Sequence, residues 1–354
     1  MKRIIIYILI PIVFILIGWF ANTAYRLPKT SNNPISQVRP TPLLKYTIEN
    51  LSKTNFKPGE IQIVKVLKTD PKFTSYEFSM KFSPDFSDNL KVTSGVINIP
   101  VGTGPFPIIV MFRGYVDPTQ YFIGEGTQPA ATVFAQNGFI TIAPDFLGYG
   151  DSDHEATDVF ESRFQTYVTA ATLLKTIGTL EDSPLKVGEN SISSINNTGM
   201  NHTFDTNHIF IWGHSNGGQI ALTTLEITGV DYPTVLWAPV SKPFPYSILY
   251  YTDEAPDGGK SLRKYLADFE TDYNTDLFSL TRYLSQIKAP IQLNQGTTDV
   301  EVPVSWSDDL AKSLKEVNVP VTYIKYPGND HNMRPNWNEV VEDDLKFFQK
   351  QIKK

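Results

Sequence analysis

The sequence predicts an α/β protein: a mostly parallel, twisted sheet covered by helices on both faces, led by antiparallel strands and interrupted by a small lid-like insertion. Three observations predict it. Short, wholly apolar runs such as "FPIIVMF", "FITIAP" and "HIFIWG" have the character of strands buried on both faces. Longer segments with helical spacing alternate with these runs from about residue 106 onward, the rhythm of a parallel sheet. With 354 residues, 41% of them hydrophobic, the chain has material for one large core and an appended piece.

The appended piece comes first. Lys2 and Arg3 precede an uncharged, isoleucine-rich run from Ile4 to Phe20, about 17 residues, at the lower limit for crossing a bilayer. Residues 1–24 are therefore expected to be an uncleaved signal-anchor, a membrane segment that leaves the catalytic part outside the cytoplasm. Secretion after signal cleavage is the alternative, although Asn22 and Ala24 make a poor cleavage site. Residues 25–44, rich in proline and polar side chains without periodicity, read as an extended linker. Residues 45–354 read as the folded domain.

Within that domain "EIQIVKVLK", "SYEFSMKFS" and "LKVTSGVINIP" are expected as antiparallel strands, separated by Pro71, Pro84 and the polar stretch 85–89. "QPAATVFAQNG" reads as a helix stopped by Gly138, and "VFESRFQTYVTAATLLKTIG" as a long amphipathic helix stopped by Gly178. Residues 179–207, polar and asparagine-rich, read as a surface loop. A helix follows from Asn216 to about Thr228, closed by Gly229, then strands in "TVLWAP", "APIQLNQG" and "VTYIKYPG", with helices near 304–317 and 337–352. Residues 241–289, carrying "PFPYSILYY" and two short helices between two strands, are the lid-like insertion. Its aromatics at 244–251, with Phe269 and Trp306, are expected to pack over the site.

Composition removes several functions. A net charge of -6 with scattered lysines offers no basic field, so nucleic acid is not expected as a partner. The chain has no cysteine, which excludes disulfides, thiolate nucleophiles and thiolate metal sites. Asp151 and Asp153 read as a solvated loop, and neither a metal nor an organic cofactor is implied.

The chemistry concentrates in "FIWGHSNGGQIAL". Gly213-His214-Ser215-Asn216-Gly217 fits G-x-S-x-G with a strand before it and a helix after it, the context in which a sharp turn exposes a serine hydroxyl. That hydroxyl needs a base. Of the five histidines only His331 lies downstream of Ser215, in the turn "YPGNDHNM" after an apolar strand; His154, His202, His208 and His214 need no special role. A carboxylate must hold the imidazole, and Asp299, after the strand "APIQLNQG", stands at the same sheet end. Glu301, Asp308 and Asp330 are rivals by residue type, but they lie too far round the turn, in a helix, and adjacent to the histidine, respectively.

These residues carry a resemblance. Over roughly 90–352 the chain resembles an α/β hydrolase, and is most similar to the catalytic domain of prolyl oligopeptidase-like serine peptidases. The matching pieces are "PDFLGYGDSD", "GHSNGG", "QGTTDVEVP" and "PGNDHNM", with gaps of about 84 and about 32 residues between Ser215, Asp299 and His331. The resemblance implies those three as a triad. The chain departs from it in lacking a propeller and in carrying Arg113-Gly114-Tyr115 where related folds often have histidine-glycine-glycine. Backbone N–H groups of Asn216 and of Gly114 or Tyr115 are the expected oxyanion hole, and Arg113 is expected to be a structural partner of Asp145. The implied activity is cleavage of peptide or amide bonds in small extracytoplasmic substrates. Ester hydrolysis with the same triad is the alternative, and a non-catalytic binding module the third reading.

Overall fold

Ten strands form one sheet in the order β10-β9-β8-β7-β4-β5-β3-β2-β1-β6. The computed structural model describes residues 39–180, 185–187 and 204–353. The expected signal-anchor (1–24) and most of the expected linker (25–44) and loop (179–207) lie outside them. Among the described residues no helix is long and apolar enough to cross a membrane.

Strands β1 (Glu60–Thr69), β2 (Phe73–Phe82) and β3 (Lys91–Pro100) pair antiparallel, and β3 continues antiparallel onto β5 (Ile140–Pro144). From β5 the sheet is parallel through β4 (Phe106–Phe112), β7 (Phe204–His214), β8 (Thr234–Trp237), β9 (Ile291–Gly296) and β10 (Val321–Tyr326). This is the α/β fold expected, and the central strands β5, β8 and β9 are buried at every position. Two features differ from the expectation. β7 begins at Phe204, four residues before the apolar run, because Phe204 and Asp205 pair with Phe106 and Pro107. Lys186–Val187 (β6) adds to the sheet edge beside β1 inside the stretch read as loop.

Helices cover both faces. One layer holds α1 (Ile48–Lys53), α3 (Val159–Ile177) and α4 (Asn216–Thr228); the opposite core contains Ala130 and Phe134 of α2 (Gln128–Gln136) and Val340 and Phe348 of α8 (Trp337–Ile352). Asp158 caps α3 by accepting the N–H groups of Phe160 and Glu161, and Gly229 ends α4 in the left-handed conformation that glycine adopts without a Cβ clash. One compact unit runs from Pro42 to Lys354. It begins with a 3₁₀ turn, Pro42–Tyr46, whose Leu43 and Tyr46 are buried, so the last residues of the stretch read as linker are packed.

The insertion 241–289 forms α5 (Tyr246–Leu249), α6 (Lys260–Asp272) and four 3₁₀ turns. Its aromatics form two clusters. Phe244, Phe269 and Phe278 pack with Phe160 and Phe164 of α3 at centroid distances from 4.8 Å, and Tyr246, Tyr250 and Tyr251 surround Trp306 of α7 (Val304–Glu316). Large rings gain from burial against one another and against an existing helix.

One buried group is chemically out of place. Glu226 in α4 is fully buried, and among the described residues neither carboxyl oxygen has a hydrogen-bond partner. Burial pushes its carboxyl well above the ordinary value of 4.5. The folded state therefore holds it protonated, so its contribution to stability is complete below about pH 4.5 and is lost as pH rises, when only the unfolded chain can ionise freely. Glu226→Met is expected to be more stable than the parent by roughly 1–3 kcal/mol at pH 8, the gap shrinking toward pH 4. Urea melts across that range check it; a gap independent of pH would refute the assignment.

Candidate active site

Strand β7 delivers Ser215 into a turn that only a strained backbone can make. Ser215 has φ 55° and ψ -119°, a region costing roughly 1–3 kcal/mol for a residue with a Cβ. The surrounding contacts fix it there. Its N–H donates to the carbonyl of Trp237 in β8, and its own carbonyl accepts from Gly218 in α4 and from Val240. The glycines permit the crossing: a Cβ on Gly213 would lie 2.7 Å from the Gly217 carbonyl oxygen, and one on Gly217 would overlap the Phe112 carbonyl at the end of β4.

His331 and Asp299 are in contact. His331 Nδ1 donates to Asp299 Oδ2 at 2.9 Å, and the carboxylate is wholly buried. Asp299 also accepts from Gln295 Nε2 and from the backbone N–H groups of Glu301 and Val302. Burial works to raise the Asp299 carboxyl, but the hydrogen bond and charge of His331, with the Val302 and Gln295 donors, outweigh it and hold the group below the ordinary carboxylate range. The rivals lie elsewhere. Asp330 folds its own loop by accepting from the N–H groups of Asn332 and Arg334, Asp308 pairs with Lys325, and Glu301 reaches Asp299 through its backbone.

His214, which no motif singles out, ties this pair to the turn that bears Ser215. Its Nε2 lies 3.0 Å from the His331 carbonyl, and the two rings are 4.6 Å apart. Burial, then the neighbouring His331, pushes His214 down to about 4, so it is neutral at pH 7. A carbonyl only accepts, which places the His214 proton on Nε2. His214 thus clamps the His331 loop to the residue beside Ser215.

The expected oxyanion donors flank the same point. A Cβ on Gly114 would meet Ser215 Cβ at 3.1 Å. Asn216 opens α4, so its N–H belongs to a first turn that has no intrahelical acceptors. The Tyr115 side chain is exposed at the cleft mouth. Arg113 is structural in a different way from that expected. Its guanidinium donates to the carbonyls of Gly114 and Asp145 and stands 3.8 Å from the Tyr149 ring centroid. The Asp145 carboxylate is taken instead by Ser94, Tyr121 and the Gly124 N–H. Arg113 therefore shapes the loop that presents Gly114. Among the described residues no group of three or more His, Cys, Asp or Glu is placed to hold a metal ion.

Residues 192–354 match the prolyl oligopeptidase family. The matched segment holds Ser215, Asp299 and His331. Dipeptidyl aminopeptidase BIII of Pseudoxanthomonas mexicana is 32% identical to it over 145 residues, 37% of this chain and 20% of that protein. The chain spans about a fifth of the length of this curated relative. Two solved structures share the fold: acetyl xylan esterase 1 of Thermoanaerobacterium sp. JW/SL YS485 (TM-score 0.59, 14% identity, 88% of this chain and 94% of that one), and the acetyl xylan esterase of Paenibacillus sp. R4 (TM-score 0.61, 18% identity, 87% and 93%). These likenesses show the α/β hydrolase fold.

Proposed function

We propose that the protein hydrolyses peptide or amide bonds of small substrates through Ser215, His331 and Asp299, from a position outside the cytoplasm where its N-terminal segment anchors it. The observation that carries this reading is the His331–Asp299 hydrogen bond of 2.9 Å, tied through His214 to the strained strand-to-helix turn that bears Ser215. The similarity to a dipeptidyl aminopeptidase supports peptide substrates.

Each residue then has a task. His331 takes the Ser215 proton as Oγ attacks the carbonyl carbon, and the cation that forms is balanced by Asp299, which its donors keep ionised. The N–H of Asn216, with one from Gly114 or Tyr115, receives the negative oxygen, each donor contributing about 2.7–4 kcal/mol in the transition state. His331 returns the proton to the leaving group, and water repeats the sequence on the acyl-enzyme.

An aryl fluorophosphonate is expected to label Ser215, and aminoacyl 4-nitroanilides to be turned over. Absence of a Ser215 adduct would end the hydrolase reading. Turnover of short aryl esters with no measurable turnover of any aminoacyl anilide would transfer the activity to ester hydrolysis with the same triad.

A further inference from the structure

Between the oxyanion side of the turn and helix α3 lies a cleft of about 350 Å³, lined among others by Tyr115, Tyr149, Glu155, Arg163 and Asn216. Its inner wall carries a cation without an acid. Arg163 of α3 donates through one terminal nitrogen to Gln219 Oε1 at 2.5 Å. Gln219 is itself buried and tied to the Tyr167 hydroxyl, so this contact fixes the guanidinium in place. The Arg163 Nε is buried and has no hydrogen-bond partner among the described residues. A planar fork held from one side, with a buried donor unspent, is matched by a carboxylate, which accepts two parallel N–H bonds. The other charged groups on the cleft are Arg113, whose two terminal nitrogens are both taken by carbonyls although its buried Nε also has no partner among the described residues, and Glu155, which is exposed and accepts from Ser162. Two arginines face one solvent-facing carboxylate whose charge is only partly screened, so the inner end of the cleft is positive.

Resting on the function proposed above, we propose that Arg163 selects substrates whose acyl part bears a carboxylate. Such a group comes either from an acidic residue at the cleaved bond of a peptide or from a half-acylated dicarboxylic acid. The cleft begins at Asn216, next to the nucleophile, so it receives the acyl side of the scissile bond.

Two matched pairs test this: N-acetyl-glutamyl against N-acetyl-glutaminyl 4-nitroanilide, and mono-4-nitrophenyl glutarate against 4-nitrophenyl pentanoate. The charged member is expected to have the higher kcat/KM by about 10–100-fold, the range for a charge-assisted hydrogen bond. A preference in the anilide pair identifies acidic peptides, and one in the ester pair alone identifies dicarboxylic half-esters. Arg163→Gln should lower the charged-to-neutral ratio at least tenfold, Arg163→Lys should keep part of it, and Glu155→Gln should raise it. A parent ratio of one or less in both pairs, or a ratio that Arg163→Gln leaves in place, overturns the inference. Should Arg163→Gln fail to fold, the parent ratio and the Glu155→Gln response decide. Labelling of Ser215 by a neutral fluorophosphonate separates the failures: adduct without charge preference removes this inference alone, whereas no adduct removes the hydrolase reading beneath it.

Discussion

Ser215→Ala is expected to lower kcat/KM by roughly 10⁴–10⁶-fold and to abolish fluorophosphonate labelling, while its urea transition stays near that of the parent. The activity term is large because proton transfer, attack and acyl-enzyme formation all pass through one oxygen; the oxyanion donors and the binding cleft remain, which is why a residual rate above that in water survives. The stability term is small for a structural reason. The Ser215 backbone is held by its N–H to Trp237 and by its carbonyl to Gly218 and Val240, none of which involves Oγ. Alanine keeps the Cβ and so keeps the strain at φ 55°. Purified variant, matched substrate and an active-site titration are sufficient. Activity within tenfold of the parent would mean that another residue is the nucleophile.

What the sequence disclosed follows the same division between local and assembled features. The buried strands β5 and β8 were legible because every position is apolar or threonine and packs on either face. Ser215, His331 and Asp299 were legible because each follows an apolar strand at a turn, and parallel strands bring such turns to one edge. The start of β7 was not: Asp205, Thr206 and Asn207 carry no strand signature, and the pairing of Phe204 with Phe106 supplies it from outside the segment. The aromatics of 244–251 and Phe269 were read as cover for the site because their number was visible and their partners were not. Phe160 and Phe164, some 80 to 110 positions upstream, decide where two of them go. His214 and Arg163 escaped for the same reason. Each acts through a contact with a distant element, the His331 carbonyl and the Gln219 amide, and no spacing within one segment records that.

Gly217→Ala is expected to cost about 3–5 kcal/mol of stability and at least 100-fold in kcat/KM in whatever folded fraction remains. Helix propensity alone argues the opposite. Gly217 lies in the first turn of α4, where replacing glycine by alanine ordinarily stabilises a helix by roughly 0.5–1 kcal/mol. The two effects have opposite signs, so the sign of the measurement decides between them. Geometry should prevail, because an added Cβ overlaps the carbonyl carbon and oxygen of Phe112 and lies 2.6 Å from the carbonyl oxygen of Arg113. These are main-chain atoms at the end of a central strand, with no rotamer to turn aside. Relief requires α4 to move off β4, and that movement separates Ser215 and Asn216, which ride on α4, from Gly114, which follows β4. A displacement of this kind at the reacting groups is costly even when every catalytic side chain is retained. Urea unfolding with the fluorophosphonate labelling rate measured in parallel distinguishes the outcomes: a variant as stable as the parent and labelled at the parental rate would show that the close crossing of helix and strand does not set the active-site geometry.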